Sequence, residues 1–179
     1  MPDLAGGRHP QLTMSVNVSG RQLQDPGFVE DVRQVLQVSG LDPDSLILEI
    51  TESVLEADTN RIGSVMGDLH ALGVHLALDD FGTGYSSLLY LQGLPIDRLK
   101  VDRSFVSGLG ESGQDVTIIS AVVDLAHKLG LRVVAEGVET EAELRAIGAM
   151  GCDEAQGFLL GRPAPARSFT QEPVALTRS

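Results

Sequence analysis

The sequence predicts an α/β fold of the barrel type, with about six parallel strands. Two observations carry that expectation. Strand-like runs alternate with helical stretches along the chain, as right-handed crossovers between parallel strands require. Several strands are also two-faced, apolar on one side and polar on the other, with polar groups gathered at their C-terminal ends. A doubly wound sheet buries both faces and wants both apolar. A barrel packs one face under helices and turns the other towards a common axis. The count of six falls short of the eight strands of a closed barrel.

Residues 1–11 are rich in Gly and Pro and read as a linker or a truncated end. The domain proper is expected over residues 12–165, with a weakly structured tail over 166–179. Its first strand is Leu12–Ser19, where Leu12, Met14, Val16 and Val18 alternate with Thr13, Ser15, Asn17 and Ser19. Asp25-Pro26 opens a helix to about Val38, with Val29, Val32, Val35 and Leu36 at helical spacing; Gly40 stops it. Ser45–Glu52 is the next strand, and a helix runs from Asn60 to Leu72. The central strand is Val74–Asp80. A short helix, Ser86–Leu91, leads to the strand Arg98–Asp102. Gln114–Leu129 is a long helix, Leu131–Glu136 a strand, Glu141–Met150 a helix and Glu154–Leu160 the last strand.

Composition narrows the function. The 179 residues hold 42% hydrophobic and 21% charged residues, ordinary for one globular domain. The formal net charge of −12 argues against a DNA or RNA polymer, or an anionic membrane, as main partner. A small anionic ligand held through metal ions stays compatible. The single cysteine, Cys152, excludes a disulfide framework and reads as a small buried hydrophobe. No apolar run is long enough to span a bilayer, and the first residues lack the order of a secretory leader. A cytoplasmic protein, or the cytoplasmic part of a larger one, is expected.

The chemistry centres on Leu78-Asp79-Asp80-Phe81-Gly82-Thr83-Gly84. Adjacent carboxylates repel unless a cation lies between them. On residue types alone, a helix N-cap accounts for the pair equally well. Around it, Asn17, Glu49, Glu136 and Gln156 also fall at C-terminal strand ends, with Lys100 the one cation among them. Four carboxylates and an amide suit a pair of divalent cations, the arrangement that clamps attacking and leaving oxygens in phosphoryl transfer. Lys100, on an inward strand face, needs the partners those carboxylates provide. Taken singly, Glu52 and Glu139 read as solvated loop acids, and Asn17 as a residue satisfying backbone groups. His9, His70, His75 and His127 show no ligand spacing and read as structural.

Six runs occur in one order: Val16-Asn17-Val18-Ser19, Leu48-Glu49-Ile50-Thr51-Glu52-Ser53, Leu78–Leu88, Leu99-Lys100-Val101-Asp102, Val134–Thr140 and Gln156-Gly157-Phe158. In this they resemble the EAL-domain family. The resemblance implies a TIM-like barrel lacking its first strands, and hydrolysis of cyclic di-GMP to the linear dinucleotide with Mg²⁺ or Mn²⁺. It implies that Asn17, Glu49, Asp79, Asp80 and Glu136 hold metal, and that Lys100, with Asp80 and Glu136, belongs to the catalytic set. Gln156 and Glu139 would meet substrate. Glu52 would steady the loop of Phe81, Gly82, Thr83 and Gly84, which would link metal binding to homodimerisation. The family's own Glu-Ala-Leu run, whose Glu is a further ligand, has no match here. A catalytically silent module that binds cyclic di-GMP or regulates a partner is the alternative, and a dimerisation scaffold a third.

Overall fold

The computed structural model describes residues 12–55, 59–82, 91, 93–109 and 115–165. Six strands form one parallel sheet in sequential order: β1 (Met14–Val18), β2 (Leu46–Thr51), β3 (His75–Phe81), β4 (Arg98–Val101), β5 (Arg132–Ala135) and β6 (Glu154–Ala155). Between them run α1 (Gly20–Leu23), α2 (Phe28–Ser39), a 3-10 turn at Pro43–Ser45, α3 (Glu52–Leu55), α4 (Thr59–Ala71), α5 (Arg103–Val106), α6 (Asp115–Lys128) and α7 (Glu141–Ala149).

Register explains the two faces. Leu48 pairs with Leu76, and Leu78 with both Ile50 and Leu99, which in turn pairs with Val133. Strand side chains alternate, so this apolar row faces one way across four strands. It packs against Ile62, Met66 and Leu69 of α4, Ile119 and Val123 of α6, and Ile147 of α7. The opposite face carries Asn17, Glu49, Ala77, Arg98 and Lys100. Glu49 and Glu136, which leave β2 and β5, both reach Lys100 on β4. Strands lie about 4.8 Å apart, so three spacings separate β2 from β5 in a flat sheet. The polar face is therefore concave, as a barrel requires.

β1 is an edge. Its apolar row is aligned with that of β2, yet only Val18 is covered; Met14 is 54% exposed and Val16 41%. α2 starts at Phe28 rather than at Asp25-Pro26, because Asp25 Oδ1 accepts from Gly27 N and closes a turn first. Its Leu36 is buried, while Val35, expected on the apolar face, stands 63% exposed. β6 is shorter than expected: Leu159 N donates to Val138 O and Leu160 N to Gly157 O, which turns the chain out of the sheet. Helices α1, α3 and α5 have four residues each, too few for an apolar period. The expected helix Ser86–Leu91 lies, but for Leu91, outside the described residues. No helix among the described residues is long and apolar enough to cross a membrane.

Candidate metal centre

Four strands deliver charge to one point. Lys100, 4% exposed, places Nζ 2.9 Å from Glu49 Oε2, 2.9 Å from Asp79 Oδ1 and 2.6 Å from Glu136 Oε1. Leu99 and Val101, its neighbours on β4, are buried in the outer core. Strand alternation thus drives the ammonium inwards.

Asp79 and Asp80 pose a geometric problem, since successive strand residues face opposite sides. The structure solves it with an irregularity. Between Leu78 and Phe81 the register of β3 against β4 shifts. Asp80 there has φ of 56°, alone among the described non-glycine residues in being positive. That conformation costs an L-residue roughly 1 kcal/mol, least for Asp and Asn. In return both carboxylates face the same side. One oxygen each from Asp79, Asp80 and Glu136 lie within 4.8 Å of one another.

Glu136 follows β5, anchored by its own N–H on Val101 O at 3.1 Å. Next to it Gly137, Glu139, Gln156, Phe158 and Arg103 line a cavity of about 240 Å³. Gln156 is held through its backbone: its N donates to Ala135 O and its O accepts from Val138 N. A side chain at Gly157 would collide with the Val138 backbone, so the close crossing of these two loops requires glycine there. Glu139 pairs with Arg103 at 3.0 Å. Beneath them the buried Glu143 accepts from the N–H groups of Glu139, Thr140 and Gly108 and closes a capping box with Thr140. Burial pushes its carboxyl up, but these donors outweigh that and hold it below the ordinary range.

Glu52 is not a solvated acid. It is 2% exposed, and Oε2 accepts from Gly82 N at 3.0 Å. Gly82, at φ 100°, presses on the Phe105 ring, where a Cβ would overlap. The first turn after β3 is thereby tied to α3 and α5. Thr83 and Gly84 lie outside the described residues.

The electrostatics are unbalanced. Among the described residues, one ammonium is paired with three carboxylates, and Asp80 lies beside two of them. Burial raises the Glu136 carboxyl above its ordinary range, and Lys100 only partly offsets this. Burial raises the Asp80 carboxyl too, followed by the charges of Asp79 and Asp102. Burial alone would lower the Lys100 ammonium, but Asp79, Glu136 and Glu49 outweigh it and push it up. Asp79 Oδ1 is buried and lies outside hydrogen-bond geometry even to the nearby ammonium. A carboxylate oxygen without a hydrogen bond, on one residue of a converging acidic trio, is what a hard divalent cation fits.

The centre thus joins Glu49, Asp79, Asp80 and Glu136 around Lys100. Asn17 sits level with Glu49 across β1 and β2, on the exposed edge. Gln156 and Glu139 border the adjoining cavity. Sequence reasoning missed Arg103 and Glu143. The spacing Thr140-x-x-Glu143, a capping box, was the available signal for the second. The described histidines stand apart from the centre: His75 bridges Asp44 and Asp97, His70 reaches Asp97, and His127 contacts Asp153, while His9 lies outside the described residues. Burial pushes the Cys152 thiol up to about 11 and leaves it protonated, as expected for a packed hydrophobe.

Comparison with known proteins gives this arrangement a context. The family model described as EAL domain matches residues 1–163. The bifunctional diguanylate cyclase/cyclic di-GMP phosphodiesterase MucR of Pseudomonas aeruginosa is 47% identical over 163 residues, which are 91% of this chain and 24% of that protein. This chain therefore spans about a quarter of the length of that relative. The structure of the PaMucR phosphodiesterase in its c-di-GMP complex superposes with a TM-score of 0.83 at 47% identity, over 87% of this chain and 69% of that one. A manganese/cy-diGMP complex of Klebsiella pneumoniae BlrP1 superposes at 0.81 with 34% identity, over 87% of this chain and 40% of that one.

Proposed function

This chain belongs to the EAL-domain family, and from that premise we propose that it hydrolyses cyclic di-GMP to the linear dinucleotide using Mg²⁺ or Mn²⁺. The observation that carries the reading is the convergence of Asp79, Asp80 and Glu136 oxygens beside Lys100. Asn17, Glu49, Asp79, Asp80 and Glu136 would hold the cations. Bound there, the metal supplies charge to stabilise the phosphodiester oxygens and lowers the pKa of water.

The chain's own groups do the rest. The Lys100 ammonium donates to the attacking water and fixes its line of approach. Gln156 and Glu139 border the cavity next to Glu136 and contact the nucleotide. The buried Glu52 holds the start of the Phe81-Gly82-Thr83-Gly84 loop against the centre, so that Asp80 keeps its left-handed conformation. The protein acts in the cytoplasm and self-associates as a homodimer. The uncovered β1 edge, with Met14 and Val16 exposed, favours that association.

The test is chromatography of cyclic di-GMP incubated with the protein and Mn²⁺, with and without chelator. Linear dinucleotide formed only with metal supports the reading. Binding without turnover, by calorimetry in Ca²⁺, would assign the chain to the regulatory alternative. No binding at all would overturn both.

A further inference from the structure

The carboxylates assigned to metal above already hold a cation, the Lys100 ammonium. A lysine whose task is to orient one water needs one anchoring partner. Lys100 has three, from three different strand ends, at 2.6 to 2.9 Å. One of them, Asp79, is also a member of the converging acidic trio, and its Oδ1 lies outside hydrogen-bond geometry. A divalent cation on that oxygen at about 2.1 Å would lie no more than about 5 Å from Nζ if neither moved. Two cations that close repel each other.

We infer that Lys100 is the resident counter-ion of the metal-free centre, and that metal loading is an exchange. The entering cation takes carboxylate oxygens from the ammonium, which must leave at least one of Glu49, Asp79 and Glu136. The lysine thereby offsets the repulsion among these carboxylates, and it lowers metal affinity by the same contacts. This rests on the reading of Asp79, Asp80 and Glu136 as ligands. It adds that their affinity is set by a competitor inside the chain.

The experiment is Mn²⁺ calorimetry on the whole chain and on Lys100→Met, which keeps the length and removes the charge. Circular dichroism in chelator monitors folding. The variant is expected to melt lower than the parent without metal and to bind Mn²⁺ at least about tenfold tighter. Equal or weaker binding by the folded variant overturns the exchange and leaves the metal centre standing. Binding to neither protein overturns both. Should Lys100→Met not fold, the parent decides. Its Lys100 ¹⁵Nζ resonance, protected in the metal-free protein, is expected to shift on Mg²⁺ addition. A resonance unchanged at saturating Mg²⁺ overturns the exchange.

Discussion

The concave face of the sheet carries two layers of charge, built on opposite principles. In the lower layer charges are matched. Arg98 clamps both oxygens of Glu154, Arg132 joins it at 3.1 Å, and His75 sits between Asp44 and Asp97. Two residues further along β4 the matching stops. Lys100 faces four carboxylates, Asp79 Oδ1 is left without a hydrogen bond, and Asp80 is in a left-handed conformation. Matched buried charge holds strands in register; mismatched charge is kept only where something else completes it. The difference separates the end of the sheet that stabilises the fold from the end where the proposed cation site lies, the end that carries the site in parallel α/β folds generally.

Substitutions can break this contrast. The largest effect is expected from Asp79→Ala, at the mismatched layer. Turnover of cyclic di-GMP should fall at least roughly 100-fold, while the melting temperature stays close to the parent's because Lys100 keeps Glu49 and Glu136 as partners. A large loss of stability would place Asp79 with the structural charges instead. Glu154→Ala tests the matched layer. It leaves Arg98, only 15% exposed at its side chain, without its bidentate partner, and should cost about 2 kcal/mol in denaturant unfolding, less than a fully buried pair. Mn²⁺ affinity should be unchanged.

Glu143→Gln sharpens the boundary between the layers through pH. The folded state holds the Glu143 carboxyl below its ordinary range. Its stability contribution is therefore complete above the unfolded glutamate pKa of about 4.3 and is lost as pH falls through the lower folded value. The parent should exceed the variant by on the order of 1–2 kcal/mol at neutral pH, with the gap closing below about pH 4. A constant gap through acid pH would refute the assignment. The smallest expected change is a gain. Asp80→Gly removes the backbone strain and should raise stability by about 0.5–1 kcal/mol in thermal melts, while weakening Mn²⁺ binding.

The two layers were not equally legible in the sequence. Alternation gave the concave face directly: Glu49 and Lys100 each lie between apolar neighbours, and both point inwards. Asp79 and Asp80 were legible as an acidic pair, but not as a pair facing one side. That depends on the register shift and on the sign of one φ angle, which side-chain pattern does not encode. Glu52 read as a loop acid because its burial comes from a turn thirty residues away. The matched layer left almost no signal, since His75, Asp44 and Asp97 meet only through the sheet. The uncovered β1 was hidden for a related reason: its apolar row matches that of β2, and periodicity does not say whether a helix lies over it.

The most direct measurement is anomalous diffraction at the manganese edge from crystals grown with Mn²⁺. A peak bounded by carboxylate oxygens of Asp79, Asp80 and Glu136, beside Lys100, is the expected result. Manganese bound elsewhere, or none at this centre in a protein that still hydrolyses cyclic di-GMP, would contradict a shared cation site at the strand ends.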